Sequence, residues 1–164
     1  MCKVDFDYII PINMKQSSII ILLFFLSGLI GLGQTRTLTG TVIDENLNPV
    51  AGIKIQNSDT SLLGTTAFDG QFKIEISTGT ITLLISGIGY EWKSIKLTSN
   101  CNQLDIILMD GTTYDYISLK KVDKLRFKRF NKLRDNHLVA YKRGIFIAER
   151  PCYEQNFVPT RKNY

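Results

Sequence analysis

The chain is expected to be mainly β: a seven-stranded sandwich, then one basic helix and an irregular extension. Three observations carry that expectation. Between residues 35 and 109, apolar and polar residues alternate in short runs bounded by Gly, Asn, Asp, Pro or Ser. No helical period interrupts those runs, and seven strands so close together need a second sheet to cover their apolar faces. Charge then changes sign along the chain: residues 35–109 hold five Lys plus Arg against seven Asp plus Glu, and residues 110–164 hold thirteen against six.

The first 33 residues are set apart as an N-terminal extension and targeting segment. An apolar run from Ile19 to Leu32 follows Lys15 and exits through Gly31 and Gly33. This is the pattern of a secretory signal peptide, with cleavage expected near Gly33 or Gln34. A membrane anchor is the alternative, and the run is short for one, since a span takes about 20 apolar residues. No Cys stands at the exit to accept a lipid, and Asp5 and Asp7 make the preceding segment a poor start, so Met14 is the expected initiator. The protein is therefore expected to be exported, to the periplasm or the outer membrane.

Export gives the cysteines a meaning. Cys2 lies before the apolar run, which leaves Cys101 and Cys152 as a candidate disulfide in an oxidising compartment. The alternative is two unrelated thiols. A bond would close a loop of 51 residues and stabilise by roughly 4 kcal/mol through lost chain entropy.

The strands are expected, in order, at 37–44, 51–57, 62–67, 71–77, 80–86, 92–98 and 103–109. Alternation assigns their faces. Phe72, Ile74 and Ile76 point one way while Lys73 and Glu75 point the other; Ile53 with Ile55, Ile81 with Leu83 and Ile85, Ile95 with Leu97, and Leu104 with Ile106 and Leu108 repeat the scheme. These residues are the expected core. Asp69-Gly70 suits a tight hairpin because Gly takes positive φ without penalty, and Pro49 marks a turn ahead of the second strand.

Three stretches, "GTVIDENLNPVAGIKI" (40–55), "GTTAFDGQFKIEI" (64–76) and "LLISGIGYEWKSIKL" (83–97), together resemble the carboxypeptidase-regulatory-like domain. That family is a transthyretin-like or prealbumin-like sandwich with Greek-key connections, abundant in exported proteins of Bacteroidetes. The resemblance covers residues 35–109. Where the family usually carries Asp or Asn shortly before the Asp-Gly turn, this chain has Ala67-Phe68. The resemblance implies an accessory module: the domain sits beside a zinc carboxypeptidase domain, or at the N-terminus of many TonB-dependent outer-membrane receptors.

Residue types point the same way. A catalytic zinc site takes about three protein ligands, usually more than one of them His, and the sequence holds one, His137. No nucleophile motif accompanies it. Asp44-x-Asn46-x-Asn48 has the opening spacing of a calcium loop, but Pro49 stands where Gly is required and Ile55 where a bidentate Glu belongs. No metal or other cofactor is expected. Gly87-x-Gly89 lacks a following helix to receive a phosphate and is read as a turn.

Residues 110–164 are expected to form the basic helix and C-terminal extension. Helix formers run without Gly or Pro from Tyr114 to Tyr141, with Lys120, Lys121, Lys124, Arg126, Lys128, Arg129, Lys132 and Arg134 surrounding Val122, Leu125, Phe127, Phe130 and Leu133. Docking on the sandwich, contact with an anionic surface or envelope partner, and nucleic-acid binding are the three readings. Export disfavours the last, so no nucleic acid is expected as a partner. Gly144 is placed to end the helix, and Ile145, Phe146, Ile147, Tyr153, Phe157 and Val158 are too apolar to stay in water.

The function expected from these features is that of a non-enzymatic exported binding module of the cell envelope, its ligand unnamed. Two alternatives come from other classes. One is a small hydrolase built on His137, Asp135 and Glu149; the other is a glycan-binding sandwich using Tyr90 and Trp92.

Overall fold

The computed structural model describes residues 34–98 and 101–160. The expected signal peptide, the Met14 start and Cys2 lie outside the described residues. Contacts divide the chain between Gln34 and Thr35, and everything below concerns the second unit.

Eight strands and one helix follow in the order β1 (Thr35–Ile43), β2 (Lys54–Asn57), β3 (Leu62–Thr65), β4 (Gln71–Ser77), β5 (Thr82–Ser86), β6 (Lys93–Leu97), β7 (Gln103–Ile107), α1 (Leu119–Lys142) and β8 (Tyr153–Glu154). They make two sheets, β4-β1-β7 and β3-β2-β5-β6-β8. The β1–β7 pair is parallel, and every other pair is antiparallel. The eighth strand corrects the expectation of an irregular extension. It is too short to leave a periodic signature, and it adds itself to the β6 edge through Lys96 opposite Glu154 and Leu97 opposite Tyr153.

The core between the sheets is built by alternation. Phe72, Ile74 and Ile76 of β4, Leu83 and Ile85 of β5, and Ile95 and Leu97 of β6 are buried, joined by Leu104, Ile106 and Leu108 from in and beyond β7. Ile81 is a correction: it is 58% exposed. It stands one residue before β5, in a shallow depression bordered by Asn57, Ser77 and Gly79, where no facing strand covers it.

Two glycines are required by geometry. Gly40 pairs with Leu104 across the parallel ladder, and a Cβ there would meet the Leu104 carbonyl oxygen at 1.9 Å. Gly70 turns the chain at φ +75°, against the Val42 carbonyl, while Asp69 Oδ1 accepts from the Gln71 amide at 3.0 Å; the turn corrects the expected hairpin, because β3 and β4 on either side of it join different sheets.

A second cluster lies on the other side of β7. Ile43, Ile107 and Met109 meet Leu133 and Ala140 of α1 and Phe146 beyond it. β7 is thus buried on both faces, and an alternation argument cannot show this because it assumes a solvated outer face. Asp105 shares that outer face and is only 1% exposed. It is satisfied by the amides of Ile147 (2.9 Å) and Ala148 (3.2 Å) and by Gln103 Nε2 (2.7 Å).

The helix starts at Leu119 rather than Tyr114, after Ser118 in extended conformation. Residues 112–118 instead form an irregular link in which Tyr116 takes φ 60° and Tyr114 offers its hydroxyl to Arg129. At the other end Gly144 has φ 71°, with the Gly144 amide on the Tyr141 carbonyl and the Ile145 amide on the Ala140 carbonyl. That pair of bonds is the Schellman closure, and it reverses the chain so that Phe146 reaches the cluster.

Candidate functional site

The basic residues of α1 separate by face. Val122, Leu133, His137 and Ala140 are buried, and Arg126, Arg129 and Phe130 share their side of the helix, half-buried. Lys120, Lys121, Lys124, Lys128, Lys132 and Arg134 are exposed on the opposite side. Helical spacing makes this separation, since residues 122, 126, 129, 133, 137 and 140 follow steps of three and four.

The two inward arginines are structural. Arg126 grips Glu91 in a fork, Nε on Oε1 at 2.9 Å and Nη2 on Oε2 at 2.8 Å. Its Nη1 donates to Thr160 Oγ1 at 2.9 Å and to the Val158 carbonyl at 3.2 Å, and its guanidinium lies 5.4 Å from the Phe157 ring. Arg129 grips Glu45 in the same way and donates to the Asp110 carbonyl at 3.0 Å. These bonds raise the pKa of both guanidiniums. Both arginines are therefore committed within the molecule, and the outward candidate set contracts to the four remaining residues of the Lys120–Lys132 stripe with Lys121 and Arg134.

The calcium-like stretch is closed by its own side chains. Asp44 Oδ1 accepts from the amides of Asn46 and Asn48, both at 2.8 Å, and Oδ2 accepts from Asn48 Nδ2 at 3.1 Å. Among the described residues, no group of three or more His, Cys, Asp or Glu is placed to hold a metal.

His137 is 3% exposed. Its Nε2 lies 3.0 Å from the Ala148 carbonyl, its ring packs at a tilt against Phe146 with centroids 4.8 Å apart, and burial lowers its pKa. Asp135 and Glu149 are both exposed, so the hydrolase grouping is not gathered around it. Tyr90 is half-buried against the core while Trp92 is 74% exposed, which leaves no shared aromatic platform.

Cys101 and Cys152 form a disulfide with Cα atoms 5.3 Å apart. The bond holds the C-terminal segment just before the start of β7, and the Thr98 amide and hydroxyl both donate to the Cys152 carbonyl, at 3.0 and 2.7 Å. After Glu154 the chain leaves β6 so that Phe157 packs on Phe127 and Phe130, at 5.2 and 5.7 Å between ring centroids.

A cavity of about 330 Å³ lies between β6 and that departing segment. Ile95, Met109, Phe130, Leu133 and Phe157 give it apolar walls, and Trp92 and Gln155 also line it. Lys93 lines it as well, donating from Nζ to the Ile107 carbonyl at 2.7 Å and lying 5.6 Å from the Tyr153 ring. The alternation of β6 explains this, because Lys93 shares the inward face with Ile95 and Leu97. Burial pushes the Lys93 ammonium down to about 7. Sequence reasoning missed this lysine; its register with two core residues was the available signal.

Residues 38–116 match the family model of the CarboxypepD_reg-like domain. A TonB-dependent receptor of Formosa agariphila is 30% identical over 81 residues, which are 49% of this chain and 8% of the receptor. The chain thus matches a small part of that much longer protein. Among the described residues no helix is long and apolar enough to cross a membrane.

Proposed function

We propose, from the premise that residues 38–116 are a CarboxypepD_reg-like domain, that this chain is a non-enzymatic binding module of the bacterial cell envelope that docks on an anionic surface through α1. A CarboxypepD_reg-like domain is not a catalytic peptidase domain, and the matching segment of a TonB-dependent receptor supports an envelope setting. The observation that carries the reading is the division of α1. Arg126 and Arg129 fix one face to the sandwich, and Lys120, Lys121, Lys124, Lys128, Lys132 and Arg134 are left as a cationic stripe on the other.

Long flexible side chains on a fixed helix suit a dispersed anionic surface, where each contributes about 1 kcal/mol near the charge layer. The test is sedimentation with vesicles containing phosphatidylglycerol against vesicles of phosphatidylcholine alone. Binding to the first only is expected, with release as added salt shortens the Debye length from about 30 Å to about 8 Å. Replacing Lys120, Lys124, Lys128 and Lys132 together by Glu should abolish it. Binding that persists in that variant, or that ignores vesicle charge, overturns the reading.

A further inference from the structure

Lys93 is a half-buried cation with no carboxylate paired to it among the described residues. Of the carboxylates that line its cavity, Glu91 is taken by Arg126 in a two-bond fork, and Glu154 is exposed opposite Lys96. No described Asp or Glu forms an ion pair with Lys93, whose acceptors are one backbone carbonyl and the face of Tyr153. Three ammonium donors therefore have one hydrogen-bond acceptor among the described residues. Gln155, also on the cavity wall, has its Oε1 buried with no partner among the described residues. The amide can turn to present its Nε2 donors instead. Two under-used polar groups thus border a cavity whose remaining walls are mainly apolar.

We propose that this cavity binds a small amphipathic carboxylate, with its anionic head on Lys93 and its apolar tail along Met109, Phe130 and Leu133. The volume fits: about 330 Å³ lies at the small end of the roughly 300–1,000 Å³ typical of ligand sites. The chemistry fits as well, because a carboxylate supplies the counter-charge that the fold omits, in a setting where an unpaired charge is costly. Desolvation pushes the Lys93 ammonium down to about 7, and a carboxylate bound beside it would favour the charged form again. This inference is independent of the anionic surface assigned to the opposite side of α1.

Trp92 is the single tryptophan of the chain and borders the cavity, so its fluorescence reads the site directly. The experiment titrates the protein with octanoate and, separately, with 1-octanol of equal chain length. Octanoate should change the Trp92 emission at about pH 6 and weaken by up to tenfold per pH unit above about pH 7, as the amine gives up its proton. The charged and titratable groups around Lys93 are Glu91 just before its strand and Lys96 within it, Tyr153 and Glu154 of β8, Arg126 and His137 of α1, and Asp105 of β7. Burial moves His137 downward and Tyr153 upward, away from that pH window.

Octanol should show no such slope. Lys93→Met should lose the preference for octanoate over octanol, and Lys93→Arg should keep octanoate binding but lose the slope, since a guanidinium stays charged. Absence of any Trp92 response to octanoate, equal response to acid and alcohol, or an unchanged preference in Lys93→Met would each overturn the proposal. Lys93→Arg keeps the test valid if the methionine variant fails to fold.

Discussion

Arg129 of the helix closes on Glu45 of the turn after β1, across 84 residues of sequence. The same Glu45 accepts from the Asp110 amide at 3.1 Å, and its carbonyl accepts from Asn136 Nδ2 at 3.2 Å. One carboxylate thus ties the first strand, the exit of β7 and the helix into a single joint. Arg129→Ala leaves Glu45 without its cation and should cost about 2–3 kcal/mol, the scale of a lost charge-assisted hydrogen bond. Urea unfolding measures it, and Arg129→Lys should lose more than half as much because an ammonium cannot reproduce the fork. An unchanged midpoint in Arg129→Ala would remove the joint from the account.

Reduction of the Cys101–Cys152 bond should release the C-terminal strand. Cys152→Ser is expected to lower stability by about 3–5 kcal/mol, from the loop entropy restored to the unfolded chain. Hydrogen exchange should speed up at Tyr153 and Glu154 and leave β1 and β4 protected. Uniform acceleration across all strands would show instead that β8 is integral to the core.

Gly40→Ala should be among the most disruptive substitutions in the first strand. The added methyl would sit 1.9 Å from the Leu104 carbonyl oxygen and 2.8 Å from the Phe72 ring, with backbone on one side unable to yield. A loss of about 3 kcal/mol or more is expected in thermal or urea unfolding, at the upper end of overpacking costs. Gly52→Ala has open space around it but a φ of +71°, so it should cost only the smaller left-handed penalty of about 1–2 kcal/mol.

Stability should rise with pH through the neutral and alkaline range because of Lys93. Its folded pKa, about 7, lies below the ordinary 10.5. Between those values the unfolded chain binds more protons than the folded one, so raising the pH favours folding, and the gain is lost as pH falls toward 7. Lys93→Met removes this dependence. The difference in unfolding free energy between variant and wild type should therefore favour the variant most near pH 6–7 and shrink toward pH 10. A difference that stays constant across this range would show that Lys93 keeps its ordinary pKa in the fold.

Much of the sandwich was legible because one physical rule decides it. A strand with one face in the core must alternate, and β4, with Phe72, Ile74 and Ile76 buried between exposed Lys73 and Glu75, shows the rule without exception. The rule fails where its premise fails. Ile81 has the right parity but no facing strand, and Asp105 has the parity of a solvent residue but lies under the C-terminal segment. The helix was legible as composition, while its first residues were not, since Tyr114 is drawn to Arg129 rather than into a first turn.

By itself, then, the sequence determined the sandwich, most of its core, the presence of a long basic helix and the glycine that ends it, because each depends on neighbours within a few residues. Only the tertiary structure decided which basic residues are bound inward, where β8 joins the β6 edge, and that Lys93 borders a cavity without a carboxylate partner. Those outcomes depend on groups brought together from 35, 84 and 56 residues apart, as Arg126 meets Glu91, Arg129 meets Glu45 and Leu97 meets Tyr153. No local pattern encodes such meetings; they are fixed by the packing of whole elements.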